Sequence, residues 1–96
     1  NDTYENIGRK FRISARNLRK FNDLKDKQAQ PMTGEVVYIE RKKKRWEGNA
    51  HTHICRQGET AYAVGQSYAI RTRSIEKLNR LKPGETLEAG RQLRIK

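Results

Sequence analysis

The strongest constraint on this chain is that it carries the same pattern twice. Asp2-Thr3-Tyr4-Glu5-Asn6-Ile7-Gly8 lies over Glu59-Thr60-Ala61-Tyr62-Ala63-Val64-Gly65, 57 positions later, and the register runs without a gap to Leu24 over Leu81. Phe11 meets Tyr68, Ile13 meets Ile70, Leu18 meets Ile75, Phe21 meets Leu78 and Asn22 meets Asn79. After a slip of one residue, Gly34 to Ile39 lies over Gly90 to Ile95. Apolar positions agree while charged ones drift, as two diverging copies of one small fold do, so the 96 residues read as two units. Each unit then has a very small core. Below about 70–80 residues such cores supply only a few kcal/mol and usually lean on a disulfide, a metal or close helix packing. Cys55 is the single cysteine, and His51, His53 and Cys55 lack a second ligand pair, so no metal and no cofactor is expected. Helix packing is what remains.

Both copies read alike. Thr3 and Thr60 suit helix N-caps, because a hydroxyl can accept from a free backbone N–H. Ile7 with Phe11, and Val64 with Tyr68, are four apart and share a helix face. Gly8 and Gly65 fall mid-helix, where glycine costs about 0.5–1 kcal/mol relative to alanine. Accepting that cost twice points to close backbone approach. After a break at Ile13-Ser14 and Ile70-Arg71, Ser14 caps a second helix in the first copy. In the second copy Arg71 is a poor cap, and the role is expected to pass to Thr72. Asn22 and Asn79 end these helices, as asparagine tolerates the left-handed conformation. A polar loop, a glycine turn and an alternating strand follow, with Val37 and Ile39 inward in one copy and Leu93 and Ile95 in the other. His51 to Gln57 alternates as a strand ahead of the second copy, which makes the unit strand–helix–helix–strand. The first copy starts where that strand should have just ended, so a loose sheet, a borrowed strand or dependence on preceding residues is expected there.

These residues resemble the LysM family. Gln57-Gly58-Glu59-Thr60, then Tyr62, Val64, Tyr68, Ile70, Leu78-Asn79 and Leu81, then Gly90 and Leu93-Arg94-Ile95, follow its pattern over residues 51–96, and the first copy follows it from Asp2 to about Glu40. The departures are Asn1 for glycine, Glu59 for aspartate, Arg71 for serine, Ala61 for a larger apolar residue and Cys55 for an inward valine. The last makes Cys55 a small core hydrophobe. The resemblance implies an α+β fold of two βααβ modules, the first lacking its N-terminal strand, at residues 1–40 and 51–96 with a basic linker at 41–50. It implies non-catalytic binding of N-acetylglucosamine-containing glycan, peptidoglycan or a chitin-type polymer, in the cell envelope, as part of a larger bacterial wall hydrolase such as a glucosaminidase. The groove carried over from the family has Gly58, Glu59, Thr60, Ala61 and Tyr62 on one wall and Asn79, Arg80, Leu81, Lys82 and Pro83 on the other. In the first copy the walls are Asp2, Thr3, Tyr4 and Glu5 against Asp23, Leu24, Lys25 and Asp26. Asn79 reads as a structural cap, while Tyr62 divides evenly between groove and core.

Charge supplies the rival reading. The chain has 22 Lys+Arg against 11 Asp+Glu, a net charge of +11, which attracts polyanions. Arg41-Lys42-Lys43-Lys44-Arg45 beside Trp46 could hold phosphates and stack a base, so a nucleic-acid-binding module is the alternative. It is disfavoured, because the repeat accounts for more of the sequence and the remaining basic residues are spread along both copies. The plainer reading of the run is a solvated connector with Trp46 packed on a module. No apolar run approaches the roughly 20 residues that span a bilayer, and no signal peptide is visible; an excised fragment would explain that. An enzyme is disfavoured too: neither Asp2 nor Glu59 has a partner carboxylate in its copy that would act with it as a glycosidase pair, and His53 with Cys55 reads as a structural strand pair.

Overall fold

The computed structural model describes residues 2–96. The chain is mixed α+β and divides into two compact units, one up to Lys42 and one from Lys43. The first holds α1 (Tyr4–Phe11) and α2 (Ala15–Phe21). The second holds β1 (Thr52–Ile54), β2 (Glu59–Thr60), α3 (Ala61–Tyr68), α4 (Thr72–Asn79), β3 (Thr86–Leu87) and β4 (Gln92–Arg94). No helix among the described residues is long and apolar enough to cross a membrane.

In the second unit β1 and β4 pair antiparallel, Thr52 opposite Arg94, His53 opposite Leu93 and Ile54 opposite Gln92. The strand is shorter than the alternation suggested, although Ile95 N–H donates to His51 O (3.0 Å) and Cys55 N–H to Arg91 O (2.8 Å) beyond its ends. A second small ladder, unforeseen in the sequence, joins β2 to β3 with Glu59 opposite Leu87 and Thr60 opposite Thr86. The core gathers Cys55, Ala61, Val64, Ile70, Ile75, Leu81, Leu87, Leu93 and Ile95, with Trp46 and Tyr68 packed against it. Each fully buried aliphatic side chain here is worth about 1.5–3 kcal/mol. The basic stretch is stitched into this unit: Lys43 N–H donates to Ala69 O, Arg71 N–H to Lys43 O, both at 2.8 Å, and Trp46 N–H to Ile95 O at 2.6 Å.

The helices start as their caps dictate. Thr3 Oγ1 accepts from Asn6 N–H (3.0 Å) and Ser14 Oγ from Asn17 N–H (3.1 Å). Thr60 Oγ1 accepts from Ala63 N–H (3.2 Å). At α4 the expectation fails. Arg71 itself holds the N-cap position with extended backbone and no side-chain cap bond, and Thr72 is already helical. The fold tolerates this because Arg71 is placed by its backbone bond to Lys43.

The mid-helix glycines have a steric reason. Ile13 N–H donates to Gly8 O and Ile70 N–H to Gly65 O, both at 2.9 Å, so each helix folds back on its own end. A Cβ on Gly65 would lie 2.5 Å from Ile70 O, and one on Gly8 would collide with Ile13 O. The turn itself needs a left-handed residue, Arg12 (φ 59°) in one unit and Ala69 (φ 57°) in the other.

Two readings of the sequence are corrected in the first unit and its repeat. Asn22 and Asn79 are not left-handed; Asp23 (φ 61°) and Arg80 (φ 55°) are. The asparagines act through their side chains, described below. The strand expected at Val37–Ile39 forms no ladder among the described residues, since a strand needs a paired edge for its N–H and C=O groups. Val36 is 60% and Ile39 38% exposed, and the segment is held at Tyr38 instead.

Candidate functional site

The two expected walls of the second unit come from consecutive structural pieces. Gly58 (φ 79°) makes the turn that no other residue type makes cheaply. Its N–H donates to Leu87 O (2.8 Å), which ties the turn to β3. Glu59 follows on β2, and its Oε1 accepts from Arg56 N–H at 3.0 Å. From the other side, Arg80 turns left-handed after α4, and Leu81 N–H donates to Glu76 O (2.9 Å). Lys82 N–H donates to Glu85 Oε1 (3.1 Å) around a turn through Gly84, and the chain then enters β3. The β2–β3 ladder therefore fastens the backbone of one wall to the strand that continues the other.

Exposure sorts the expected contacts. Gly58, Arg80, Lys82 and Pro83 are exposed, and Glu59, Thr60 and Tyr62 are half-buried. Ala61 (5% exposed) and Leu81 (8%) belong to the core and present little to a ligand. Asn79 is a clamp. Its Nδ2 donates to Ile75 O and Arg94 O, both at 2.9 Å, and its Oδ1 accepts from Arg94 N–H at 2.7 Å. One amide side chain thus closes the helix and mimics a strand partner for β4. A cavity of about 330 Å³ in this unit draws on none of the expected residues; Lys44, Arg45, Ser74, Lys77 and Leu78 line it.

In the first unit the same jobs are done by other groups. Asn22 repeats the clamp: Nδ2 donates to Leu18 O (2.7 Å) and Tyr38 O (2.9 Å), and Oδ1 accepts from Tyr38 N–H (2.8 Å). Among the described residues no ladder ties loop to helix start; side chains do it. Tyr4 N–H donates to Gln30 Oε1 (2.8 Å), and Gln30 Nε2 donates to Glu5 Oε1 (2.9 Å). Arg19, buried under the Tyr4 ring, donates to Ala29 O and Glu5 Oε2, both at 2.9 Å. These hydrogen bonds from Gln30 and Arg19 hold the Glu5 carboxyl below the ordinary glutamate range. Tyr4, expected at the groove, is fully buried and its hydroxyl has no hydrogen-bond partner. Burial, with Glu35 nearby, pushes its phenol up. Asp23 is ion-paired with buried Lys42. Asp2 lines one cavity, with Ile7, Met32 and Glu35 among its other walls, whereas Leu24, Lys25 and Asp26 line another with Arg16, Arg19, Lys20 and Lys27. The structure does not bring Asp2 and Lys25 into one cavity.

One constellation escaped the sequence reading. His53, Cys55 and Glu59 place Nδ1/Nε2, Sγ and a carboxylate oxygen within 4.8 Å of one another. His53 Nε2 lies 2.9 Å from Glu59 Oε1, and Nδ1 lies 2.8 Å from Tyr68 Oη. Burial raises the Glu59 carboxyl, but the bonds from His53 and Arg56 N–H outweigh it and leave the group depressed. Burial also pushes the Cys55 thiol up. Tyr68 packs edge-on to both His53 (5.4 Å) and Trp46 (5.3 Å). The earlier expectation of no ligand set overlooked Glu59, which the turn at Gly58 returns to the His53–Cys55 face.

Comparison with known proteins places the chain. No curated protein matches it. Among solved structures it is similar to the Bacillus cereus spore cortex-lytic enzyme SleL, at 19% identity and a TM-score of 0.46, with 99% of this chain and 20% of that chain covered. The chain thus spans about a fifth of that enzyme's length, and a likeness this faint carries no argument. The LysM domain family model matches residues 1–39 and 53–96. Those two segments take in most of the chain and coincide with its two repeats, so the protein belongs to the LysM family, as a tandem of non-catalytic modules of the kind that binds peptidoglycan- or chitin-type glycan.

Proposed function

We propose that the chain holds N-acetylglucosamine-containing wall glycan, peptidoglycan first, and thereby targets an attached wall hydrolase such as a glucosaminidase to its substrate in the periplasm or cell wall. The observation that carries this reading is the β2–β3 ladder, which fixes Gly58–Tyr62 relative to the loop through Arg80–Pro83. Loops fixed in this way offer backbone N–H and C=O groups suited to an acetamide, while Tyr62 supplies a half-buried ring for a sugar face. In the first unit Asp2 with Thr3, and Leu24 with Lys25, contribute as separate surfaces, since Asp2 lines one cavity and Leu24 and Lys25 another.

The test is retention on purified peptidoglycan and on chitin, each at low salt and at about 0.5 M salt, where exposed charge pairs are strongly screened. Retention should survive high salt and fall several-fold in Tyr62→Ala and Lys82→Ala. Complete release by salt, with unaltered binding in both variants, would show charge attraction alone and sink the proposal.

A further inference from the structure

We propose that His53, Cys55 and Glu59 form a binding site for a divalent metal ion of zinc's class, with a fourth position open to water. The site shares Glu59 with a wall of the proposed glycan groove but rests on its own geometry, three ligand atoms within 4.8 Å of one another. His53 and Cys55 are two residues apart on extended backbone and so share a face. Glu59 returns to that face across the Gly58 turn, its carboxylate steadied by Arg56 N–H.

The distances suit a tetrahedral ion after a small adjustment. Zinc sits about 2.0–2.2 Å from nitrogen and oxygen ligands and about 2.3 Å from sulfur, so its ligand atoms stand roughly 3.3–3.6 Å apart. His53 Nε2 and Glu59 Oε1, now 2.9 Å apart, must open by a few tenths of an ångström. The three ligand atoms already lie within 4.8 Å of one another, so the sulfur has at most about 1.5 Å to travel.

The chemistry agrees with the geometry. A thiolate beside an imidazole selects borderline-soft ions over magnesium or calcium. Thiolate and carboxylate together neutralise a dication, which a half-buried site needs. On binding, the Cys55 S–H gives its proton to solvent, the His53–Glu59 hydrogen bond opens, and the ring exchanges its Nε2 proton through solvent for one on Nδ1. His53 then coordinates through Nε2 while Nδ1–H donates to Tyr68 Oη, 2.8 Å away, an outer contact that orients the ring. Without an ion, the same tyrosine donates to Nδ1 and Nε2–H donates to Glu59. The hydrogen-bonded triad and the metal site are two protonation patterns of one arrangement.

The test is titration of the whole, reduced chain with Co²⁺. The expected result is one ion per chain with thiolate-to-cobalt charge-transfer absorption in the near ultraviolet, abolished by Zn²⁺ and untouched by Mg²⁺. Cys55→Ser should lose the band while keeping its circular dichroism, and His53→Gln and Glu59→Gln should each weaken binding at least tenfold. Zn²⁺ should also raise the Tm of the parent and not of Cys55→Ser. Three results would overturn the site: no charge-transfer band at about 1 mM metal in folded protein, one ion per two chains, or affinity unchanged in His53→Gln.

Discussion

Single side chains carry much of this fold, the two clamp asparagines above all. Asn22 is 1% exposed, so Asn22→Ala removes a buried amide's hydrogen bonds to Tyr38 N–H, Tyr38 O and Leu18 O. Unsatisfied buried groups cost about 1–3 kcal/mol each, and denaturant unfolding should show a loss of that order. Asn79→Ala makes the same cut where its Arg94 partners are exposed and water can replace the amide, so its cost should be smaller. Equal losses would mean that solvent access does not set the difference. Glu59 contributes to acid stability. Its folded carboxyl is depressed, so the unfolded chain binds the proton more readily. That stability is present above the ordinary glutamate range and drains as pH falls through and below it. Melting of Glu59→Gln should therefore depend less on pH in the acid limb than melting of the parent.

The helix hairpins rest on a tight return at each first helix. Gly65→Ala gains helix propensity of about 1 kcal/mol but drives a Cβ into Ile70 O, which is backbone and cannot step aside. Overpacking of this kind costs about 1–3 kcal/mol, so the variant and its counterpart Gly8→Ala should both melt lower. The left-handed residue that follows the helix predicts the opposite sign. Ala69 bears a left-handed backbone that costs an L-residue about 1–2 kcal/mol, so Ala69→Gly should raise the Tm. The two substitutions lie four residues apart: one adds a Cβ where backbone leaves no room, the other removes a Cβ from a left-handed position. Both thermal melts moving the same way would refute the account.

Across the whole molecule, two modules of one family on a chain of net charge +11 separate two sources of binding. Charge attraction fades with salt, whereas the proposed pair of glycan sites would gain from effective concentration by about 10²–10⁴ on a polymer that both can engage. Tyr62→Ala in one module should thus cost far more on polymeric glycan than on short oligomers in equilibrium binding at high salt. Combining it with Lys25→Ala in the other module should remove the polymer's advantage altogether. An equal loss on polymer and oligomer would leave the modules independent.

The sequence by itself determined the repeat, and through it the two units, three of the four helix caps and the family. Those features follow from local chemistry: hydroxyl caps, helical spacing and glycines are read within a few residues of where they act. The burial of Cys55 was legible from the family resemblance, which sets it at an inward position. Contacts across the chain were not. The clamp role of Asn79 depends on Arg94, and the tie between Tyr4 and Gln30 on a loop closing over a helix start. The β2–β3 ladder involves two residues a side, too short for any periodicity. Tyr4 was assigned to a groove because it aligns with a groove position, yet it lies in the core of its unit. The meeting of His53 and Cys55 with Glu59 turned on one left-handed glycine between them. Partners chosen by loop closure leave no spacing in the sequence, because the chain between them can take any length that reaches; only the folded backbone decides which groups arrive together.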